Sequence, residues 1–271
     1  MFLAETKEGY RSIYKKEKGK QVFVKYLGKM LKEDAESLLE IMENRPDLLL
    51  DRSNTQAIAE YKKVKRKLQL AQIEPSQINL KPGDFRDLIK ELANDSIDLI
   101  LTDPPYSKEF LPLWEDLAKE AERVLKPSSF LIAYSGQNYL PQVLKMLSQH
   151  LDYYWTGMLY HRGPTAQRFE VNMWNRAKPI LFFQKPPLLK QVDWIEDVII
   201  SKKPDKDYHN WGQNVEPLKK LINCFSLPHQ IILDPLAGGG SVIEACIATK
   251  RNIIAFEKDA DTYKVLKERF P

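Results

Sequence analysis

Residues 103–106, Asp-Pro-Pro-Tyr, place a carboxylate, free carbonyl acceptors and an aromatic ring next to one another. Neither Pro104 nor Pro105 has an N–H for a neighbouring strand, and Pro104 favours an extended Asp103, so these acceptors face the space beyond a strand end. An amino group conjugated to a nucleobase is a poor nucleophile because its lone pair is drawn into the ring. Acceptors on its two N–H bonds, from Asp103 and the Pro104 carbonyl, would free that lone pair, and Tyr106 would stack on the base.

The elements around this tetrapeptide predict where it lies. Residues 97–101 are apolar except for one acid and predict a short buried strand that ends at Asp103. A helical pattern over 111–125 and a second apolar strand over 130–136 come after it, so the order is strand, helix, strand. This alternation predicts an α/β fold with a parallel sheet, in which ligands bind at the carboxyl ends of the strands. The structural alternative is an Asp-Pro turn with Tyr106 as a rim aromatic.

A second group of chemically suggestive residues follows the apolar strand that begins at Ile231, in the sequence IILDPLAGGGS. Gly238 and Gly240 would let the backbone approach a ligand closely and direct N–H groups at an anionic group. Ser241 and Glu244 have the spacing of a capping box, which predicts that a helix begins at Ser241. The pattern therefore predicts a ligand-binding strand, turn and helix.

The spacing around this turn limits the choice of cofactor. Glu257, at the end of the next predicted strand, is well placed to accept the two hydroxyls of a ribose. A dinucleotide fingerprint would need glycine where Ile243 stands, and no lysine comes after the glycines to hold phosphates. A nucleoside with a carboxylate and no pyrophosphate fits these limits. S-adenosylmethionine is such a molecule, and it carries the electrophilic methyl that an activated amine would attack.

With both groups in view, the sequence resembles the beta class of DNA amino-methyltransferases, which methylate adenine at N6 or cytosine at N4. The resemblance rests on DPPY at 103–106, DPLAGGGS at 234–241, FEKD at 256–259 and their order in the chain. It covers about residues 78–271. It implies a Rossmann-like sheet of seven strands with a permuted motif order, in which the cofactor-binding half comes last.

The resemblance also assigns site residues by position. It places the target amino group and base at Asp103, Pro104, Pro105 and Tyr106. It places the cofactor at Asp84, Phe85, Asp234, Leu236, Ala237, Gly238, Gly240, Ser241, Glu257 and Lys258. Among these, Asp84 and Phe85 would close over the adenine that Lys258 flanks. The chain departs from the family pattern at Leu236, where phenylalanine is usual, and at Glu216, where lysine is usual.

Residues 155–178 are aromatic, polar and rich in arginine, and we interpret them as a target-recognition loop. Its candidate substrate contacts are His161, Arg162, Arg168 and Trp174, a mixture of cations and stacking surface that is typical of nucleic-acid contacts. A lid without base contacts is the alternative. Long irregular loops in compact domains are usually functional in either case.

Residues 1–75 are predicted to form a small α+β appendage to a methyltransferase domain at 76–271. A hairpin is predicted over 10–26, with helices from about Leu27 and from Ser53. Extra DNA contacts, a dimer surface and plain scaffolding remain open as roles for this appendage.

The composition of the chain limits the class of protein to which it can belong. The chain has 271 residues, of which 43% are hydrophobic and 29% charged, with a net charge of +4. This is an ordinary globular profile, and the charge neither indicates nor excludes nucleic acid. The absence of a long apolar run and of a signal-peptide core predicts a cytoplasmic protein without a membrane partner. Cys224 and Cys246 are too few for a disulfide framework or a zinc site, so no metal is expected.

The expected function is methylation of adenine N6 in DNA, with a flipped base as substrate and S-adenosylmethionine as cofactor. In the family that this chain resembles, a leading Asp in the tetrapeptide accompanies adenine more often, and a leading Ser accompanies cytosine. N4-cytosine methylation, RNA adenine methylation and a catalytically silent nucleic-acid-binding partner remain alternatives. A homodimer and a cognate restriction nuclease are open as partners.

Overall fold

In the structure of the protein, a computed structural model, the chain divides into two compact units, Met1–Ile73 and Glu74–Pro271. The residues it describes are 2–5, 11–17, 20–28, Leu38, Met42, 76–161, 166–188, 193–201 and 214–270.

The first unit contains a three-stranded antiparallel sheet in the order β1-β2-β3, with β1 at Phe2–Glu5, β2 at Arg11–Glu17 and β3 at Lys20–Gly28. The pairing of β2 with β3 confirms the hairpin predicted over 10–26. Strand β1 was not predicted. Apart from Leu38 and Met42, which are helical, the two predicted helices lie outside the described residues.

The second unit is built on an eight-stranded sheet. The strands described in this unit are β4 Ile78–Pro82, β5 Ile97–Thr102, β6 Leu125–Tyr134, β7 Asp152–His161, β8 Ala166–Arg168, β9 Met173–Asn175, β10 Ala177–Gln184, β11 Val198–Ser201, β12 Ile231–Asp234 and β13 Asn252–Glu257. Strands β8 and β9 form a separate two-stranded hairpin, and the other eight form the large sheet in the order β11-β7-β10-β6-β5-β12-β13-β4. Among the strands described for this sheet, only β10 runs antiparallel to its neighbours. The strands β12 and β13, which come last in the chain, lie between β5 and β4.

This architecture confirms the predicted α/β, Rossmann-like class with permuted order. The sheet has one strand more than the seven expected, because β11 pairs with the edge strand β7. Strand β11 has only four residues, with Val198 and Ile200 exposed and Ile199 and Ser201 buried. A strand this short gives little periodic signal in the sequence.

The α-helices described in the second unit cover the two faces of the sheet: α1 Phe85–Leu88, α2 Leu111–Val124, α3 Leu140–Leu147, α4 Val215–Phe225, α5 Ser241–Thr249 and α6 Ala260–Arg269. Ile100 of β5 points into one core with residues of α1, α2 and α3. Leu99 and Leu101 point into the other core, with residues of α4, α5 and α6. No helix in the described part of the chain combines the length and the apolar character needed to cross a membrane.

Asp98, the acid in the otherwise apolar strand β5, ties three strands together. It is 8% exposed, and one carboxylate oxygen lies 2.7 Å from Lys126 Nζ on β6. The other oxygen accepts a 2.9 Å hydrogen bond from the backbone N–H of Ile231, which begins β12. These bonds fix the amino ends of β5, β6 and β12 against one another, and so contribute to the register at their opposite ends.

Candidate active site

Four parallel strands end at the same edge of the sheet, and each has an acid at or close to its end. Strands β5 and β12 pair at Leu99 with Ile232 and at Ile100 with Leu233, so their carboxyl ends are neighbours. The acids at or just beyond the ends of β5, β12, β13 and β4 are Asp103, Asp234, Glu257 and Asp84. The two predicted motifs therefore meet at one edge, as the family resemblance requires.

Asp234 is the buried acid at the centre of this edge. It is 2% exposed, and its Oδ1 accepts hydrogen bonds from the Thr102 hydroxyl at 2.9 Å and from the Leu236 N–H at 3.2 Å. Burial, with smaller contributions from the charges of Asp103 and Glu257, raises the pKa of Asp234 to about 7, although the two hydrogen bonds lower it. Three carboxyl groups thus act on one another across the carboxyl ends of β5, β12 and β13.

Partners of Asp103 in the described part of the chain include Tyr106 of the tetrapeptide and Lys178 on β10. The Tyr106 hydroxyl donates to its Oδ1, and Lys178 Nζ lies 3.1 Å from its Oδ2. The same ammonium lies 5.0 Å from the centroid of the Tyr106 ring and 5.4 Å from that of Tyr134. Lys178 was not among the predicted site residues. It reaches this edge because β10 runs antiparallel and therefore begins where its neighbours end, which the sequence of one strand does not reveal.

Tyr106 and Tyr134 are held firmly at this corner. A Cβ atom added to Gly136 would lie 2.8 Å from Tyr106 Cβ, so only glycine lets the backbone pass here. Burial, together with the charge of Asp103, raises the pKa of both phenols, so both remain protonated donors at neutral pH. The Tyr134 hydroxyl is buried and has no hydrogen-bond partner among the residues that the structure describes.

The glycine turn after β12 is anchored to the end of β13. Glu257 accepts hydrogen bonds of 2.8 Å from the N–H groups of Gly238 and Asp259, and the Ala237 N–H donates to the Phe256 carbonyl at 2.9 Å. Gly238 has a positive φ of 49°, and the nearest atom to an added Cβ would be 3.9 Å away. The turn therefore leaves open space beside Gly238, into which a ligand can fit.

Gly240 has the opposite environment. Its φ is +78°, and an added Cβ would lie 2.7 Å from both Leu266 Cδ2 and Phe270 Cε2. We expect Gly240→Ala to lower the free energy of unfolding by roughly 2–4 kcal/mol, because overlap and backbone strain add. Urea denaturation measures this, with Gly238→Ala as the matched control in open space. Equal losses in the two variants would contradict this interpretation.

The start of α5 differs from the predicted capping box. The N-cap residue is Gly240, and no side chain caps the helix there, so Ser241 is the first helical residue. Glu244 does not reach back to the helix start because its carboxylate pairs with Arg269 of α6. The ion pair with Arg269 therefore replaces the contact between Glu244 and the start of α5 that the sequence pattern predicted.

On the far side of the glycine turn, Asp84 caps α1 by accepting from the Arg86 N–H at 3.0 Å, and Lys258 Nζ lies 3.0 Å from its Oδ2. The hydrogen bonds from the Arg86 side chain are the main cause that lowers the pKa of Asp84 below its usual value. Phe85 is 2% exposed and packs in the core with α2 and α3. Its side chain is therefore part of this core, whereas the family resemblance predicts that it closes over the adenine ring.

The four predicted substrate residues lie in three different parts of the chain: the end of β7, the hairpin of β8 and β9, and a segment outside the described residues. His161, at the end of β7, is half-buried, and burial followed by the charge of Lys178 lowers its pKa, so it is neutral at pH 7. Arg168 and Trp174 lie on the exposed hairpin, which we define as residues 166–175, with Trp174 63% exposed. Arg162 lies outside the described residues. The structure thus brings His161, but not Trp174, into the electrostatic surroundings of Asp103.

The donors and acceptors at this edge suit organic ligands better than a metal ion. Among the described residues no group of three or more His, Cys, Asp or Glu side chains could hold a metal. A glycine turn between acids and a second acid beside aromatic rings can instead hold a cationic nucleoside and a planar base. The fold and this edge together match the class of α/β protein, with ligands bound at the carboxyl ends of parallel strands, that the family resemblance predicts.

Comparisons with known proteins narrow this class. A family model described as a DNA methylase, N6_N4_Mtase, matches residues 97–268. The chain belongs to this DNA amino-methyltransferase family. A type II methyltransferase of Haemophilus parainfluenzae, M.HpaI, is 26% identical over an alignment of 227 residues. The match covers 67% of this chain and 70% of that protein.

Solved structures agree on the fold. A crystal structure of an M1.HpyAVI–SAM complex has a TM-score of 0.62 at 21% identity and covers 72% of this chain and 100% of that one. The PvuII DNA methyltransferase, described as cytosine-N4-specific, has a TM-score of 0.64 at 14% identity, covering 74% and 90%. At these identities the likeness concerns the fold.

Proposed function

We propose that this chain transfers a methyl group from S-adenosylmethionine to the N6 amino group of adenine in DNA. The observation that carries the proposal is the meeting of two motifs at neighbouring strand ends. The Asp103 corner comes after β5 and the Asp234 turn after β12, and the charge of Asp103 acts on Asp234. One motif would present an amine and the other a methyl donor.

The residues of the turn fit the cofactor. S-adenosylmethionine supplies, when bound, a methyl group on a sulfonium, which is a good electrophile. Asp234 has no cationic partner among the described residues, and its raised pKa shows a buried carboxyl that an ammonium group would stabilise as the anion. Open space at Gly238 suits the methionine part, and the Glu257 carboxylate suits the ribose hydroxyls. Asp84 and Lys258 would flank the adenine.

The residues of the first motif would handle the target base. The base must leave the duplex stack, at a cost of a few kcal/mol that pocket contacts offset. The Asp103 carboxylate and the Pro104 carbonyl would accept from the two amino N–H bonds, with Pro105 stiffening the turn and Tyr106 stacking on the ring. Holding the amine in line with the methyl would supply much of the acceleration.

The choice of adenine over cytosine rests on the leading Asp103, which accompanies adenine more often in this family. Cytosine N4 is the second candidate, and the PvuII enzyme, cytosine-N4-specific, shares this fold. Mass spectrometry of nucleosides separates them after incubation with labelled cofactor and unmethylated duplex DNA, single-stranded DNA or RNA. We expect label in N6-methyladenine from DNA. Label in N4-methylcytosine, or in RNA alone, would overturn the specific proposal, and no label in any of the three would overturn transfer itself.

The exposed hairpin would contact the DNA next to the target base. Phe169 and Trp174 are 76% and 63% exposed on this hairpin. It lies between β7 and β10 in the chain, and the neighbouring ends of these strands are held together where the His161 N–H donates to the Arg176 carbonyl at 2.9 Å. Stacking by one aromatic side chain is worth roughly 1–3 kcal/mol. We therefore expect Trp174→Ala to raise the KM for DNA about 5- to 150-fold and to leave cofactor affinity unchanged.

Isothermal calorimetry with S-adenosylmethionine and steady-state methylation of duplex DNA measure the two effects. Trp194 is 92% exposed outside the hairpin and provides the matched control. Equal effects of Trp174→Ala and Trp194→Ala on KM would show that the hairpin has no special part in DNA binding.

A further inference from the structure

Asp103 and Lys178 place a hydrogen-bond acceptor and a hydrogen-bond donor side by side at the edge of the sheet. The carboxylate is an acceptor, and the ammonium 3.1 Å away is a donor that projects beside the same two rings, Tyr106 and Tyr134. Lys178 is 21% exposed in its side chain, so its position is confined. A base whose amino group reaches Asp103 can therefore bring one of the two ring atoms beside that amino group close to Lys178.

The target bases present the complementary pair. In adenine the N6 amino donor lies next to the N1 acceptor, and in cytosine the N4 amino donor lies next to the N3 acceptor. At the corresponding positions guanine and thymine have a carbonyl oxygen beside a ring N–H, which is the reverse order. We propose that Lys178 is a specificity-determining residue that donates to the ring nitrogen next to the methylated amino group. This inference rests on the proposed function and deepens it.

The surroundings of Lys178 hold its ammonium group in position for recognition of a base. Its ammonium lies near two ring faces and beside a carboxylate, which keeps a cation in place before any base arrives. The buried Tyr134 hydroxyl, which lacks a partner in the described part of the chain, adds a donor at the same corner. Bases with the reverse pattern would meet a carboxylate with an oxygen and an ammonium with an N–H, leaving both unsatisfied.

The test compares three variants in methylation of PCR-amplified phage DNA, which carries no methylated bases, with radiolabelled S-adenosylmethionine. Lys178→Met removes the donor, and we expect it to lower kcat/KM for DNA roughly 10- to 200-fold. Lys178→Gln keeps an N–H donor without the charge, and it should lose less, by about tenfold or under. Cofactor affinity by calorimetry should change less than about twofold in either variant.

Lys185→Met is the matched control. Lys185 comes just after the other end of β10, is 18% exposed, and lies 2.7 Å from Asp95, so it too is a confined lysine paired with an aspartate. It lies away from the site, and its replacement should leave kcat/KM within about twofold in protein that remains folded. The free energy of unfolding, measured for all variants, separates loss of stability from loss of recognition.

A second measurement addresses the ring nitrogen itself. Once the methylated positions have been located by sequencing, a synthetic duplex can carry the target base with C–H in place of that nitrogen. Wild type should lose kcat/KM on this duplex by about the same factor as Lys178→Met loses on normal DNA, and the two losses should not multiply.

Several outcomes would overturn the inference alone. Equal activity of Lys178→Met and wild type would do so, as would a gain in activity, which would mark Lys178 as a competitor of the base. Equal losses in Lys178→Met and Lys178→Gln would reduce its role to charge. Inactive wild-type protein would instead overturn the proposed function, and this inference with it.

Discussion

Asp103→Ala is expected to lower the rate of methyl transfer at least about 10³-fold, while S-adenosylmethionine binds with an affinity within about twofold of wild type. The physical reason is that Asp103 would accept an N–H of the target amine, whereas the proposed cofactor residues follow other strands, β4, β12 and β13. Radiolabelled methyl transfer and calorimetry measure the two quantities on the same preparation.

Asp103→Asn refines this prediction. An amide oxygen still accepts one N–H bond, but the charge that holds Lys178 at 3.1 Å is lost. We therefore expect an intermediate rate. Asp98→Asn is the matched control, since Asp98 lies at the opposite end of β5 from Asp103 and its carboxylate also pairs with a lysine, Lys126 Nζ at 2.7 Å. That variant should lose stability and not specific activity. Equal loss of transfer and cofactor binding in Asp103→Ala would contradict the assigned role.

Much of this site could be predicted from sequence because its signals are local. Strand β5 is an apolar run that ends at a proline pair, and β12 is an apolar run that ends at a glycine turn. Each run shows where its strand stops and which kind of turn the chain then makes. Parallel strands between helices bring their ends to one edge, so the meeting of Asp103 with Asp234 is a consequence of the α/β pattern.

The features that could not be predicted depend on long-range packing. Lys178 reaches the site only because β10 is reversed in the sheet. Phe85 comes directly after a motif acid but turns into the core. Arg251, which follows helix α5 after Lys250, is 1% exposed and donates to Ser226, Asn223 and Thr249, which lie near it only in the folded chain. A single sequence shows each residue's type but not the partner that tertiary structure supplies.

Asp234→Asn should make the folded protein more stable relative to wild type as the pH rises. The pKa of Asp234 is raised from 3.8 to about 7 in the folded protein, mainly by burial. Between these values the folded state keeps a proton that the unfolded chain releases, so wild-type stability falls as pH rises. Three pH units correspond to roughly 4 kcal/mol at most, and asparagine has no such dependence.

Urea denaturation of both proteins from pH 4 to pH 8 measures this difference, which should grow up to about pH 7 and then level off. A constant cost of burying the amide would shift the curve without changing its slope. Thr102→Val provides a directional check, because the Thr102 hydroxyl lowers the pKa of Asp234. Its loss should move the plateau to higher pH. Parallel stability curves for Asp234→Asn and wild type would contradict the buried, protonated carboxyl.

The same carboxyl connects stability with function. An ammonium group bound beside Asp234 would favour the ionised form, so binding of S-adenosylmethionine should release a proton from wild-type protein at about pH 6–7. Affinity should therefore rise with pH through this range in wild type and stay level in Asp234→Asn, at a value weaker by roughly 10- to 100-fold. Calorimetry in two buffers of different ionisation enthalpy detects the released proton. A pH-independent affinity in wild type would place the ammonium away from Asp234.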